Sequence, residues 1–232
     1  MIVSILIPAY NEEHNIRPTI QGVRRIPAQL LPTLEWEVIV IDDGSSDNTK
    51  AQAQKCGLRT LRLDRNRGKG AALQYGLQHA RGQIIMFLDA DLKETASEGY
   101  KLVAPLVCDS ADVTVAKFKP LEQTGGFGLV KTLAAGGVKY FSGQNFSAPL
   151  SGQRAFKRTV LDAIAPLPDD FSLELGMLID ILAQGYRVLE VDVDMCHDVT
   201  GRDWAGFVHR GSQFIQISKL LLKKLREQRT YA

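Results

Sequence analysis

The chain has 232 residues, 45% hydrophobic and 23% charged, enough for one sizeable domain with a buried core. A net charge of +2 exerts no global pull toward nucleic acid. Three widely spaced cysteines, Cys56, Cys108 and Cys196, form neither a disulfide framework nor a CxxC pair, so a cytoplasmic setting is expected.

In chain order, residues 1–8 lack a basic leader, break at Pro8 and read as a strand rather than a signal peptide. Residues 12–26 have helical character. Residues 36–41 (WEVIVI) form a buried strand ending in Asp42-Asp43-Gly44. A helix is expected from 46–49 to Cys56, with Gly57 as its stop. Residues 59–63 read as a short strand, 70–80 as a helix closed by Gly82, and 83–88 as a strand ending in Asp89-Ala90-Asp91. This βαβαβαβ series predicts a mostly parallel sheet with helices on both faces. Beyond it, helices are expected at 96–107, 129–141, 159–165 and 171–184, and strands at 112–117, 153–157 and 187–193. A last helix from Asp203 places Trp204, Phe207, Val208, Gly211, Phe214, Ile215, Ser218, Leu221, Leu222 and Leu225 along one stripe. The expected organisation is a domain over 1–202 and a C-terminal amphipathic helix over 203–232. No apolar run approaches the roughly 20 residues of a bilayer span, so any membrane contact is expected to be peripheral, at the inner face.

Ligands of open parallel sheets bind outside the carboxyl ends of the strands. Three such ends carry acids here: Glu12 after the first, Asp42 and Asp43 after the second, Asp89 and Asp91 after the fourth. In an extended segment Asp89 and Asp91 would share a side. Two charges ~5 Å apart repel by about 3 kcal/mol at an effective dielectric of 20. Protonation or a bound cation would relieve this, and all-oxygen ligands favour Mg²⁺ or Mn²⁺. An exposed turn with Asp91 capping the next helix reads equally well from spacing alone. The segment Arg65-Asn66-Arg67-Gly68-Lys69-Gly70 enters a helix and offers an anion site, yet it is neither a GxxxxGK[ST] loop nor a GxGxxG fingerprint.

Together IPAYNEEHNI (7–16), VIVIDDGSSDNT (38–49), NRGKGAALQYGL (66–77) and FLDADL (87–92) resemble the GT-A nucleotide-sugar glycosyltransferases of family 2. The resemblance implies a GT-A fold, a UDP-sugar donor and Mg²⁺ or Mn²⁺. It implies that Pro8, Ala9, Asn11 and Glu12 line the base and ribose pocket and that Asp42 or Asp43 contacts uracil or ribose. Lys69 would sit near the phosphates, Asp91 on the metal, and Asp89, with Ala90 beside it, on ribose or donor sugar. PLSGQRAFKR (149–158), FSLELGMLIDIL (171–182) and DMCHDVTGRD (194–203) resemble the glucosyl-3-phosphoglycerate synthases. That implies His197 as a second metal ligand, Arg202 toward the diphosphate leaving group, and glucose transferred with retention. Arg154 would shape the acceptor side. Glu174 either complements its helix dipole or points at the acceptor or donor sugar.

The stretch Gly125-Gly126-Phe127-Gly128-Leu129-Val130-Lys131-Thr132 lacks the acceptor-anion arginine of those synthases. A polyprenyl-phosphate acceptor is therefore the alternative to a small phosphorylated one. Lys219, Lys223, Lys224, Arg226 and Arg229 against Glu227 admit a helix lying on an anionic membrane or one packed on the domain or a partner, as in a homodimer. A non-catalytic nucleotide-binding protein is the alternative of another class.

Overall fold

The computed structural model describes residues 1–26, 33–119, 128–168, 173–196 and 204–231, with side chains in all of these except 204–212 and 228–231. Seven strands form one sheet in the order β3-β2-β1-β4-β6-β5-β7. They are β1 (Ile2–Ala9), β2 (Glu35–Asp42), β3 (Arg59–Arg62), β4 (Ile84–Phe87), β5 (Val113–Phe118), β6 (Arg154–Lys157) and β7 (Val188–Val193). The first four run parallel, as the βα alternation predicts. The strand β6 runs antiparallel to both β4 and β5, and β7 returns parallel to β5.

Alternation along β1 sends Val3, Ile5 and Ile7 to one face and Leu6 to the other. On the first face Ile16, Ile20 and Val23 of α1 (Ile16–Arg24) and Leu102, Val103 and Leu106 of α4 (Tyr100–Val107) complete a buried cluster. On the second, Ala72 and Leu73 of α3 (Lys69–Leu77), Val160 and Leu161 of α6 (Arg158–Ile164), and Leu173, Met177 and Ile181 of α7 (Leu173–Ala183) cover Leu6, Ile39, Ile41 and Phe156. The remaining short helix of the first half, α2, spans Thr49–Lys55. The helix expected at 96–107 begins as a 3₁₀ segment, Lys93–Gly99, before α4.

Outside the second face, α5 (Gly128–Ser142) and α7 hold the C-terminal helix α8 (Trp204–Tyr231). Val130, Ala134 and Val138 pack with Leu178 and Ile217, and Leu220 and Leu221 join from α8. Lys224 Nζ pairs with Asp180 Oδ1 at 2.5 Å. The docking face matches the stripe read in the sequence in part, through Leu221. Ile217, Leu220 and Leu221 turn inward, whereas Phe214, Ile215 and Leu222 of the stripe remain exposed. The domain has taken the flank of the stripe that continues into Lys224, where Asp180 stands ready.

Candidate functional site

Parallel pairing in the order β2-β1-β4 brings the carboxyl ends of three strands side by side. Ala9 is in register with Asp42, and the Asp43 amide donates to Ala9 O at 2.9 Å. The loops after β1 and β2 then interlock. Asn11 N donates to Ser45 Oγ (3.0 Å), Ser46 N to Asn11 Oδ1 (2.9 Å), Glu12 N to Thr49 Oγ1 (2.7 Å) and Glu13 N to Asp47 Oδ2 (3.1 Å). Asn11 holds φ 56, a left-handed conformation that its short polar side chain tolerates. Pro8, Ala9, Asn11 and Glu12 thus share one fastened wall with 42–49.

Both aspartates of that wall have protein partners. Asp42, fully buried, accepts from Ser45 N at 2.9 Å and pairs with Arg62 Nη1 at 3.3 Å. Asp43 accepts from the Arg67 and Gly68 amides, each at 2.8 Å, and so fixes the chain as it enters α3. Burial pushes the Asp43 carboxyl up, against the pull of those two amides.

Lys69, the first residue of α3, stands at the centre. Its Nζ lies 2.6 Å from Asp89 Oδ1 and 3.1 Å from Glu174 Oε1. Gln153 Nε2 donates to Asp89 Oδ2 at 2.6 Å. Burial works to lower the Lys69 pKa, yet Asp89 and then Glu174 raise it above the usual lysine value, so the ammonium is held charged. Glu174, in the first turn of α7, therefore does more than complement a helix dipole. The structure unites Lys69, Asp89 and Glu174 from three distant parts of the sequence.

The extended geometry expected for Asp89 and Asp91 is not what forms. The strand ends at Phe87, and Ala90-Asp91 is a turn leading into the 3₁₀ segment. Ala90 is buried, and its carbonyl accepts from Thr19 Oγ1 at 2.7 Å; that hydroxyl in turn accepts from Lys93 N at 2.8 Å. A buried threonine of α1 thus pins the turn that carries Asp91. The cation that relieves Asp89 is one of the chain's own, Lys69.

Arg154 lies beneath the site. It is 1% exposed, with Nε on Ser151 O and Nη2 on Pro149 O, each at 2.8 Å. Burial lowers its pKa to about 10, with Glu174 acting in the opposite direction. It braces the loop that delivers Gly152 and Gln153. A Cβ on Gly152 would collide with Lys69 Nζ and lie 3.2 Å from Asp89 Oδ2. His197 and Arg202 lie outside the described residues, as does 125–127 of the glycine-rich stretch. Sequence reasoning missed Thr19, Gly152 and Gln153. The last two sit inside the quoted PLSGQRAFKR motif, so a signal existed for them, but not for Thr19.

Among the described residues no three His, Cys, Asp or Glu side chains converge as a ready-made metal centre. Asp89 and Asp91 offer carboxylate oxygens, hard donors suited to Mg²⁺ or Mn²⁺. Mg²⁺ is commonly held by one or two carboxylates with phosphates of the substrate completing the shell. The donor set fits a divalent ion that arrives with a phosphate ligand.

A family model described as Glycosyl transferase family 2 matches residues 4–157. The fold is similar to glucosyl-3-phosphoglycerate synthase from Mycobacterium tuberculosis in complex with Mg²⁺ and UDP, with TM-score 0.77 and 25% identity over 96% of this chain and 78% of that one. The same enzyme with Mn²⁺, UDP and phosphoglyceric acid gives TM-score 0.76 and 26% identity, again over 96% and 78%. Dodecaprenyl-phosphate galacturonate synthase from Rhizobium johnstonii is 34% identical over 119 residues, 49% of this chain; the match spans 35% of that relative's length.

Proposed function

The chain belongs to glycosyl transferase family 2, and from that premise we propose that it moves a sugar, glucose, from a UDP-sugar to a small phosphorylated acceptor with the help of Mg²⁺ or Mn²⁺. One observation carries this reading: Lys69, held charged between Asp89 (2.6 Å) and Glu174 (3.1 Å), stands beside the interlocked loops of β1 and β2. A fixed cation there faces the negative charge that develops on a departing diphosphate. Pro8, Ala9, Asn11, Glu12, Asp42 and Asp43 form or support the base and ribose pocket. Asp89, with Ala90 behind it, orients ribose or sugar, and Glu174 faces the transferred sugar. Asp91, with His197, would hold the ion, which neutralises diphosphate charge when bound. Arg202 would add its planar fork to that diphosphate. Arg154 serves the acceptor side through the loop it braces. The division into a domain over 1–202 and a helix over 203–232 belongs to the same proposal.

The direct test is Asp91→Asn. Losing a metal ligand should weaken metal-dependent UDP binding by at least about 10–100-fold, measured by calorimetry with and without Mn²⁺. Unchanged affinity in the presence of metal would overturn the assignment. Turnover of UDP-glucose separates an enzyme from a nucleotide-binding protein.

A second reading, transfer to a polyprenyl phosphate at a membrane surface, is favoured by the galacturonate synthase relative and by the missing arginine in 125–132. Screening UDP-, GDP- and ADP-sugars, each with phosphoglycerate, polyprenyl phosphate and simple sugars, decides between the two.

A further inference from the structure

The outward face of α8 is apolar and cationic at once. Phe214, Ile215 and Leu222 are 42%, 55% and 56% exposed, although α8 is already docked through Ile217, Leu220 and Leu221. Ile215, Lys219, Leu222 and Arg226 recur at helical spacing, and so fall on one side of the helix. Lys219, Leu222, Lys223, Arg226 and Glu227 line a shallow depression on it, apart from Lys69, Asp89 and Glu174. The neighbouring α5 adds Leu129 and Tyr140, 78% and 70% exposed. Of the eight exposed large hydrophobic side chains among the described residues, five lie on these two helices, three of them on α8.

We infer that this face of α8 docks on an anionic lipid surface, with Phe214, Ile215 and Leu222 entering the headgroup region and Lys219, Lys223 and Arg226 meeting lipid phosphates. Charge selects this occupant over a second copy of the chain. A two-fold contact through the face would set Lys219, Lys223 and Arg226 against their own images, with Glu227 as the acid in reach, and Glu227 already lies 3.9 Å from Lys223 and 3.8 Å from Lys224. Aliphatic side chains interleaved with cations suit a bilayer interface, where apolar burial and attraction to anionic headgroups act together. No helix among the described residues is long and apolar enough to cross a membrane, so the contact is superficial. The docking does not depend on which acceptor the active site takes.

The test is flotation of the full chain with vesicles of phosphatidylcholine alone and of equal parts phosphatidylcholine and phosphatidylglycerol. Binding to the anionic vesicles only, weakening with salt, is expected. The triple variant Lys219→Gln, Lys223→Gln, Arg226→Gln should lose on the order of a hundredfold in vesicle affinity, at about fivefold per cation. Ile215→Ser with Leu222→Ser should also weaken binding. Both variants should keep wild-type melting and UDP affinity, which separates a failed surface from a misfolded chain and from a failed nucleotide assignment. The inference is overturned by equal binding to both vesicle types, by variants that bind like wild type, by preference for RNA over vesicles, or by a wild-type dimer that Ile215→Ser with Leu222→Ser splits.

Discussion

Gly152 decides how closely the backbone before β6 can approach the Lys69 ammonium. A methyl group there would meet Lys69 Nζ head on and sit 3.4 Å from Glu174 Oε1. The lysine tip is flexible and can move aside, so the fold survives; the two ion pairs do not survive unchanged. Gly152→Ala should leave the unfolding midpoint nearly unaltered while donor turnover falls on the order of a hundredfold, the effect of misplacing a charged group by about 1 Å. Paired calorimetric melting and UDP-glucose hydrolysis check this, and a collapsed midpoint with normal turnover would refute it. Candidate site residues could be named from the sequence at this scale because glycines, acids and a lysine stood in family order. Their partnerships were not. That Asp89 would meet Lys69 and Gln153 depends on where α3 begins and where β4 stops. The apolar run through Leu88, Ala90 and Leu92 hides that stop, since all three are buried after the strand has ended.

Among the elements, three strands of the second half are tied at one end by charge. Asp112, just before β5, accepts from Lys157 Nζ at 2.8 Å, from Arg187 Nη2 at 2.8 Å and from Arg187 N and Nε, each at 3.0 Å; Asp109 pairs with the same two cations. The Arg187 hydrogen bonds, then those of Lys157, hold the Asp112 carboxyl well below the usual range despite partial burial. A depressed folded pKa means the unfolded chain binds more protons over the interval. Stability from Asp112 is therefore present above the unfolded value near ~3.9 and is lost as pH falls toward the folded one. Asp112→Asn should cost about 1–2 kcal/mol at neutral pH, less than a fully buried charged bond because Arg187 is half exposed. The gap between variant and wild type should close in strong acid, as urea titrations at both pH values will report. At the α5–α8 contact a Cβ on Gly137 would come within 2.5 Å of Leu221 Cδ2. Gly137→Leu overpacks that seam by about 1–3 kcal/mol. It should speed amide exchange in α8 while the central strands keep their protection.

For the molecule as a whole, ligand linkage provides the simplest check. UDP at about 100 times its Kd in the presence of Mn²⁺ should stabilise the fold by about 2.7 kcal/mol. UDP without metal should do far less, and Asp91→Asn should remove the difference in thermal melting. The βα alternation of the first ninety residues specified its half of the sheet, since β1, β2 and β4 carry apolar runs and glycines or acids follow the elements between them. The second half was legible as elements but not as topology. The run Gln153–Arg154–Ala155–Phe156–Lys157 says nothing of direction: its four strand residues occupy a central strand with neighbours on both sides, and only the register with β4 and β5 reveals that it runs backward. The docking face of α8 escaped in part for a similar reason, because two apolar flanks compete and Asp180 on α7 settles which one turns inward.

The reversal at β6 has an engineering consequence. Because that strand runs against β4, the segment leading into it arrives at the carboxyl ends of the parallel strands, where Gly152 and Gln153 meet Lys69 and Asp89. Three anchors hold that segment: Glu190 accepts from the Ser147 and Ala148 amides, the Pro149 and Ser151 carbonyls accept from Arg154, and Phe146 is buried in the cluster of Val138 and Leu178. A graft at 143–151 would have to carry those anchors with it to leave β6 and the ion pairs of Lys69 in place.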